Sequence, residues 1–215
     1  MSPIAVHWIK NNAVAALIFC VASVAIDVVS YAVIKLDADS ASYEIVYIAM
    51  IVFPALAGIA YGILTGAVLQ RIIPRLPARM WIALQAVLAV VVGKASLAGS
   101  AGAVGDYRVS HSLLAGALLG AMTGAMLGVA EALVLRRAAS GILAWIGWST
   151  GAHAIMMTLF FGGVRLWNTE PDFFMGDLIR QALSFLGFMV VTVVMLPALR
   201  RLRDPLLEKA PSHFT

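Results

Sequence analysis

From Ser112 the chain reads Ser-Leu-Leu-Ala-Gly116-Ala-Leu-Leu-Gly120-Ala-Met-Thr123-Gly124-Ala-Met-Leu-Gly128-Val-Ala-Glu131-Ala-Leu-Val-Leu135, and Arg136-Arg137 follow at once. A bilayer core about 30 Å thick is crossed by roughly 20 helical residues. This stretch has that length, a single acid, and cations at its end. Five others resemble it, so that spans are predicted near 13–34, 43–69, 80–98, 112–135, 142–161 and 178–199. Too little chain remains between them for a soluble unit. The expectation is an all-α, polytopic membrane helix bundle of six transmembrane helices, forming a single integral membrane domain over residues 1–215.

Composition agrees. Hydrophobic residues make up 62% of the 215 and charged ones 12%, against about a quarter charged in soluble domains. The net charge of +4 does not point to nucleic acid, because the cations gather at span ends rather than on a folded basic face. Cys20 is the single cysteine, which excludes an intramolecular disulfide. No small-residue cleavage site follows the first apolar run, which is therefore read as a retained helix.

Lys and Arg mark the cytoplasmic side of a membrane protein. Lys10 precedes span one, Arg71, Arg75 and Arg79 follow span two, Arg136 and Arg137 follow span four, and Arg200, Arg201, Arg203 and Lys209 follow span six. The other connections are acidic or mixed, with Asp37, Asp39, Glu44, Asp106, Arg108, Glu170, Asp172 and Asp177. Both termini are thus expected in the cytoplasm. Pro74 and Pro77 predict a stiff turn, and Pro54 and Pro197 predict kinks within spans two and six. Leu97–His111 reads as a mobile glycine- and serine-rich loop, and Gly162–Asp177 as a second external loop whose Trp167, Phe173 and Phe174 lie at the outer interface or cap the bundle. Trp8, Trp81 and Trp145 fall near span ends, where indoles commonly sit among headgroups.

The chain also matches itself. Gly62-Ile-Leu-Thr65-Gly66-Ala-Val-Leu69 pairs with Gly120-Ala-Met-Thr123-Gly124-Ala-Met-Leu127, and each leads to an arginine turn and a tryptophan. This suggests a parallel two-helix repeat. A glycine-rich span leading into Leu-Arg-Arg and a downstream Trp resembles a pattern found in many bacterial membrane proteins. The resemblance implies a bacterial cytoplasmic membrane and nothing finer.

Glycine recurs every fourth residue at Gly58, Gly62 and Gly66, and at Gly116, Gly120, Gly124 and Gly128. That spacing keeps the glycines on one face, where another backbone can approach closely. The face serves either packing within the bundle or a homo-oligomer contact. Ionisable groups inside spans are the other candidates. At ~1.5 Å per residue, Asp27 and Lys94 both lie about 21 Å from the basic end, His153 about 17 Å and Glu131 about 6 Å. Asp27 and Lys94 match in depth and oppose in sign, so the three residues Asp27, Lys94 and His153 form a candidate outward polar site, or Asp27 and Lys94 a structural ion pair. Glu131 reads as an interfacial acid balancing Arg136, Arg137 or a cation of a neighbouring turn.

Ser149 and His153 share a helix face, yet no oxyanion hole or orienting acid accompanies them. His111 and His153 differ too much in depth to hold a haem together. The chain is read as a non-enzyme with no cofactor and no metal site. It is expected to be an accessory, assembly or scaffold component meeting lipid and a membrane-protein partner or its own copies. The alternative is a small-solute transporter or a transporter's substrate-binding membrane subunit.

Reporter fusions test the topology. Those after Arg75, after Arg137 and at the C-terminus should report cytoplasm, and those near Asp39, Gly105 and Asp172 the outside. Reversal at any two positions rules out the six-span arrangement.

Overall fold

The computed structural model describes the backbone of residues 1–35, 40–103, 109–136, 138–167 and 173–202, and the side chains of 1–33, 44–92, 113–136, 138–162 and 179–202. Its elements are helices throughout: α1 (Pro3–Lys35), α2 (Ser40–Ile72), α3 (Ala78–Ala103), α4 (Val109–Leu135), α5 (Ile142–Trp167), α6 (Phe173–Val194) and the short α7 (Leu196–Arg201). Five helices are long and apolar enough to cross a membrane, while the described apolar part of α3 is the shorter Ala78–Val92. At 33 residues, α1 and α2 exceed the hydrocarbon core and must project beyond it. The loop expected over Leu97–His111 is largely helical, because α3 runs to Ala103 and α4 starts at Val109. The loop expected over Gly162–Asp177 is shortened in the same way, by α5 running to Trp167 and α6 starting at Phe173. The side chains of Trp167, Phe173 and Phe174, and the chain beyond Leu202 with Arg203 and Lys209, lie outside the described residues.

Each helix packs on its sequence neighbours, and α6 returns to α1, giving a closed ring of six. Trp8 of α1 meets Thr192 of α6, and Asp27 meets Arg180, so these two helices run antiparallel in register. The same holds for α4 and α5, where Gly116 faces Met157 and Gly128 faces Ile146. One end of the ring therefore gathers the start of α1 and the α2–α3 and α4–α5 turns. It carries exposed Lys10, Arg71, Arg75, Arg79, Arg136, Arg200 and Arg201, and is called the basic end below.

Prolines set the breaks at this end. Pro197 has no N–H for the carbonyl one turn earlier, so α6 stops at Val194 and α7 begins at Leu196. Helix α2 continues through Pro54. In the α2–α3 turn the Ile73 carbonyl accepts from Leu76 N–H at 3.0 Å, and the Pro77 carbonyl opens α3 by accepting from Trp81 N–H at 3.0 Å. The α4–α5 turn closes on Gly141, whose φ of 83° is a left-handed conformation that suits glycine. A Cβ at Gly141 would also run into the Arg201 carbonyl, so this turn is seated against α7.

Lipid tails are as apolar as leucine, so helices in a bilayer associate through close packing and interhelical hydrogen bonds. The α2–α3 and α4–α5 contacts show the first device. A Cβ added at Gly62 would lie 2.7 Å from Ile82 Cα, and one at Gly116 2.7 Å from the Met157 carbonyl oxygen. At Gly124 it would lie 2.5 Å from the Ser149 carbonyl oxygen, and at Gly58 and Gly120 it would collide with the Gln85 and His153 carbonyls. Around α1, α2 and α6 the filler is aromatic instead. Phe19, Tyr61 and Phe188 meet with ring centroids 5.7 to 6.3 Å apart.

Gly120→Ala should therefore destabilise the protein in detergent by about 1–3 kcal/mol, the usual consequence of overpacking. Gly147→Ala and Gly151→Ala are the controls, since an added Cβ there meets nothing within 4 Å. Those two should be neutral or mildly stabilising, because alanine favours helix over glycine. Thermal unfolding of the three variants decides the matter, and equal tolerance at all three would place α4 and α5 further apart than described.

Candidate functional site

The polar interior concentrates near the basic end. Glu131 of α4 is 8% exposed, and both its oxygens are engaged. Gln85 of α3 donates from Nε2 to Oε1 at 2.8 Å, and Trp145 of α5 donates from Nε1 to Oε2 at 2.8 Å. One carboxyl thus ties three consecutive helices. The expectation that Glu131 is an interfacial acid beside Arg136 is corrected here. Position 131 lies on the ring's inner side, where Gln85 and Trp145 reach it, while Arg136 is exposed.

Trp8, Trp81 and Trp145 are also not a headgroup belt. They are at most 2% exposed, and Trp8 meets Trp145 edge-on at 6.3 Å. A buried indole N–H needs an acceptor. Trp8 Nε1 donates to the Thr192 carbonyl at 3.2 Å, and Trp81 Nε1 to Thr65 Oγ1 at 3.0 Å. Thr65 in turn donates to the Tyr61 carbonyl at 2.7 Å. Asn12, also buried, donates to the Trp8 carbonyl, while Asn11 reaches across to the Leu64 carbonyl at 2.7 Å. The three tryptophans and their acceptors form a packed floor of the ring.

The sequence-selected polar residues lie elsewhere. Asp27 pairs with Arg180 of α6, Nη2 to Oδ2 at 2.9 Å, with side chains 31% and 45% exposed respectively. Beside this pair Gln181 donates to Ser23 Oγ at 2.9 Å. His153 lies in the α4–α5 contact, its Nδ1 2.9 Å from the Ser149 carbonyl, so Nδ1 carries the proton. Lys94 is on α3, with its side chain outside the described residues. The described contacts do not bring Asp27, Lys94 and His153 together. Arg180 was missed because it sits at the very start of an apolar run, and only closure of α6 onto α1 makes it the partner of Asp27.

Ser149 and His153 do not form a nucleophile–base pair. The serine hydroxyl donates to the Gly124 carbonyl at 2.9 Å, and the imidazole meets the serine's backbone, not its side chain. Among the described residues no cluster of three His, Cys, Asp or Glu could hold a metal ion. Nor does any buried side-chain nitrogen or oxygen there lack a hydrogen-bond partner.

By the length and composition of its helices, the chain is an integral membrane protein with several spans. No family model, no curated protein and no solved structure matches it.

Glu131→Leu should orphan two buried donors, at about 1–3 kcal/mol for each. Glu131→Gln should keep most of the stability. Its carbonyl can still accept from Trp145, and its amide can donate to Gln85 once that amide turns over. Melting temperatures of the purified variants separate the cases: equal loss in both would show that the carboxylate's charge, not its acceptor role, holds the three helices.

Proposed function

We propose that the chain is a non-enzymatic component of a bacterial cytoplasmic membrane, with six spans and both termini inside, serving as an accessory, assembly or scaffold subunit. One observation carries this reading: Glu131, the one buried acid among the described residues, has both oxygens occupied by neutral donors from neighbouring helices. A fully satisfied buried network rigidifies and specifies one arrangement. A carrier must alternate between two arrangements, which such a network opposes. Because the glycine faces of α2 and α4 are covered by α3 and α5, a partner would meet other surfaces. The outward side of α4 is one, with Leu114, Leu118, Met122 and Met126 all exposed.

A second reading, a small-solute carrier, is favoured by the half-exposed Asp27–Arg180 pair with Ser23 and Gln181 beside it. Charge within an apolar helix usually marks a site or its partner.

Purification from native membranes, followed by mass spectrometry and by solute uptake into vesicles rebuilt from the chain alone, separates the two. A membrane protein recovered in fixed proportion and no uptake support the scaffold. Uptake by the lone chain, abolished by Asp27→Asn, replaces it with the carrier.

A further inference from the structure

At the basic end the first turn of α1, the end of α2 and the short α7 enclose a half-open pocket of about 160 Å³. Leu199 is its buried floor, Ile72 and Leu196 are half-buried walls, and Ile4, Ser2 and Arg200 are exposed at its mouth. The chemistry is two-sided. Most of the lining is aliphatic, which no soluble anion would use. The cation at the mouth stands among others: Arg71 precedes Ile72, Arg201 follows Arg200, and Lys10, Arg75, Arg79 and Arg136 share the same end. The described ion pair, Asp27–Arg180, lies towards the other end of the ring, and Glu131, the buried acid described near the basic end, is engaged by Gln85 and Trp145. Among the described residues no carboxylate pairs with Arg200. The pocket sits where α2 and α6 end, beside the cluster of cations that marks this end of the apolar helices.

We infer that this pocket holds an anionic phospholipid, its phosphate against Arg200 and its apolar portion against Ile4, Ile72 and Leu196. Ser2 adds to the phosphate end. Its Oγ accepts from the Ala5 N–H at 3.3 Å, which leaves the hydroxyl hydrogen free to donate outward. The positive end of α1 opens at Pro3, beside the same mouth. Basic recesses between membrane helices are a general means of selecting anionic headgroups. The assignment requires only that the chain spans a bilayer, and it holds for a scaffold and for a carrier alike.

The test is native mass spectrometry of the full chain, delipidated and offered equal amounts of phosphatidylglycerol and phosphatidylcholine. One phosphatidylglycerol should be retained in preference to phosphatidylcholine. Arg200→Gln should weaken that preference about fivefold, which is what one cation at a membrane surface contributes. Arg136→Gln removes a cation from the same end but away from the pocket, and should leave the preference intact. Ile4→Trp, at an exposed position, fills the mouth and should reduce retention with every arginine in place. Equal retention of the two lipids by the unaltered chain overturns the proposal. So does an equal effect of Arg200→Gln and Arg136→Gln, which would assign the preference to the charge of the whole end. Retention of glycerol phosphate as strongly as of phosphatidylglycerol would make the pocket a soluble-anion site instead.

Discussion

Contact of one helix backbone with another, through glycine, is the condition on which the rest of this bundle depends. In water a helical protein is driven together by the release of apolar surface, and side chains fill whatever space results. In lipid that drive is missing between helices, and dispersion contacts matter in proportion to how many atoms come within reach. Gly58, Gly62 and Gly66 bring α3 onto α2, and Gly116, Gly120, Gly124 and Gly128 bring α5 onto α4. Two stiff hairpins result, and the remaining helices assemble around them.

The hairpins share an apolar cluster near the basic end, and a polar link is added to it. The α3–α4 contact is the thinnest in the ring, and the Gln85–Glu131 hydrogen bond spans it. Trp145 fixes the other carboxylate oxygen, so the acid's position is set from both sides. The tryptophan floor repeats this logic. Each indole fills a large volume in the buried core near the basic end and then requires an acceptor in a dry place: a threonine hydroxyl, a backbone carbonyl or a carboxylate. Packing and hydrogen bonding thus determine one another there, and neither Thr65 nor Glu131 can be understood apart from the indole it serves.

The all-α bundle of apolar helices was legible in the letters, because span length and hydrophobic composition are local properties. The kink expected at Pro197 is a break between α6 and α7, whereas α2 continues through Pro54, although both prolines lack the N–H. Helix ends in the α3–α4 connection were not legible, since a run of alanine, glycine and serine occurs in helix and in loop alike. The tryptophans were misread for a physical reason. An indole near a span's end satisfies headgroup anchoring and core packing equally well in sequence, and only the neighbours decide. Glu131 was misread similarly: five residues from Arg136 it resembles an interfacial partner, yet its place on the inner side turns it away from solvent. The spacing of the glycines is visible, but which helix each face meets is not. Arg180 as the partner of Asp27 depends on a closure between the two ends of the chain that no local pattern encodes.

That closure also has a consequence in time. The two residues of the ion pair are separated by 153 positions. At synthesis rates of about 5–20 residues per second, roughly 8–30 s pass between the emergence of Asp27 and that of Arg180. Throughout that interval the first helix is in or near the bilayer with Asp27 and Ser23 lacking the partners that α6 later supplies. Until the sixth helix arrives the nascent chain is thus an open arc, with the edge of α1 that α6 later covers still uncovered. Completion of the fold is an event at the end of translation, fixed by the order in which the ribosome delivers its parts.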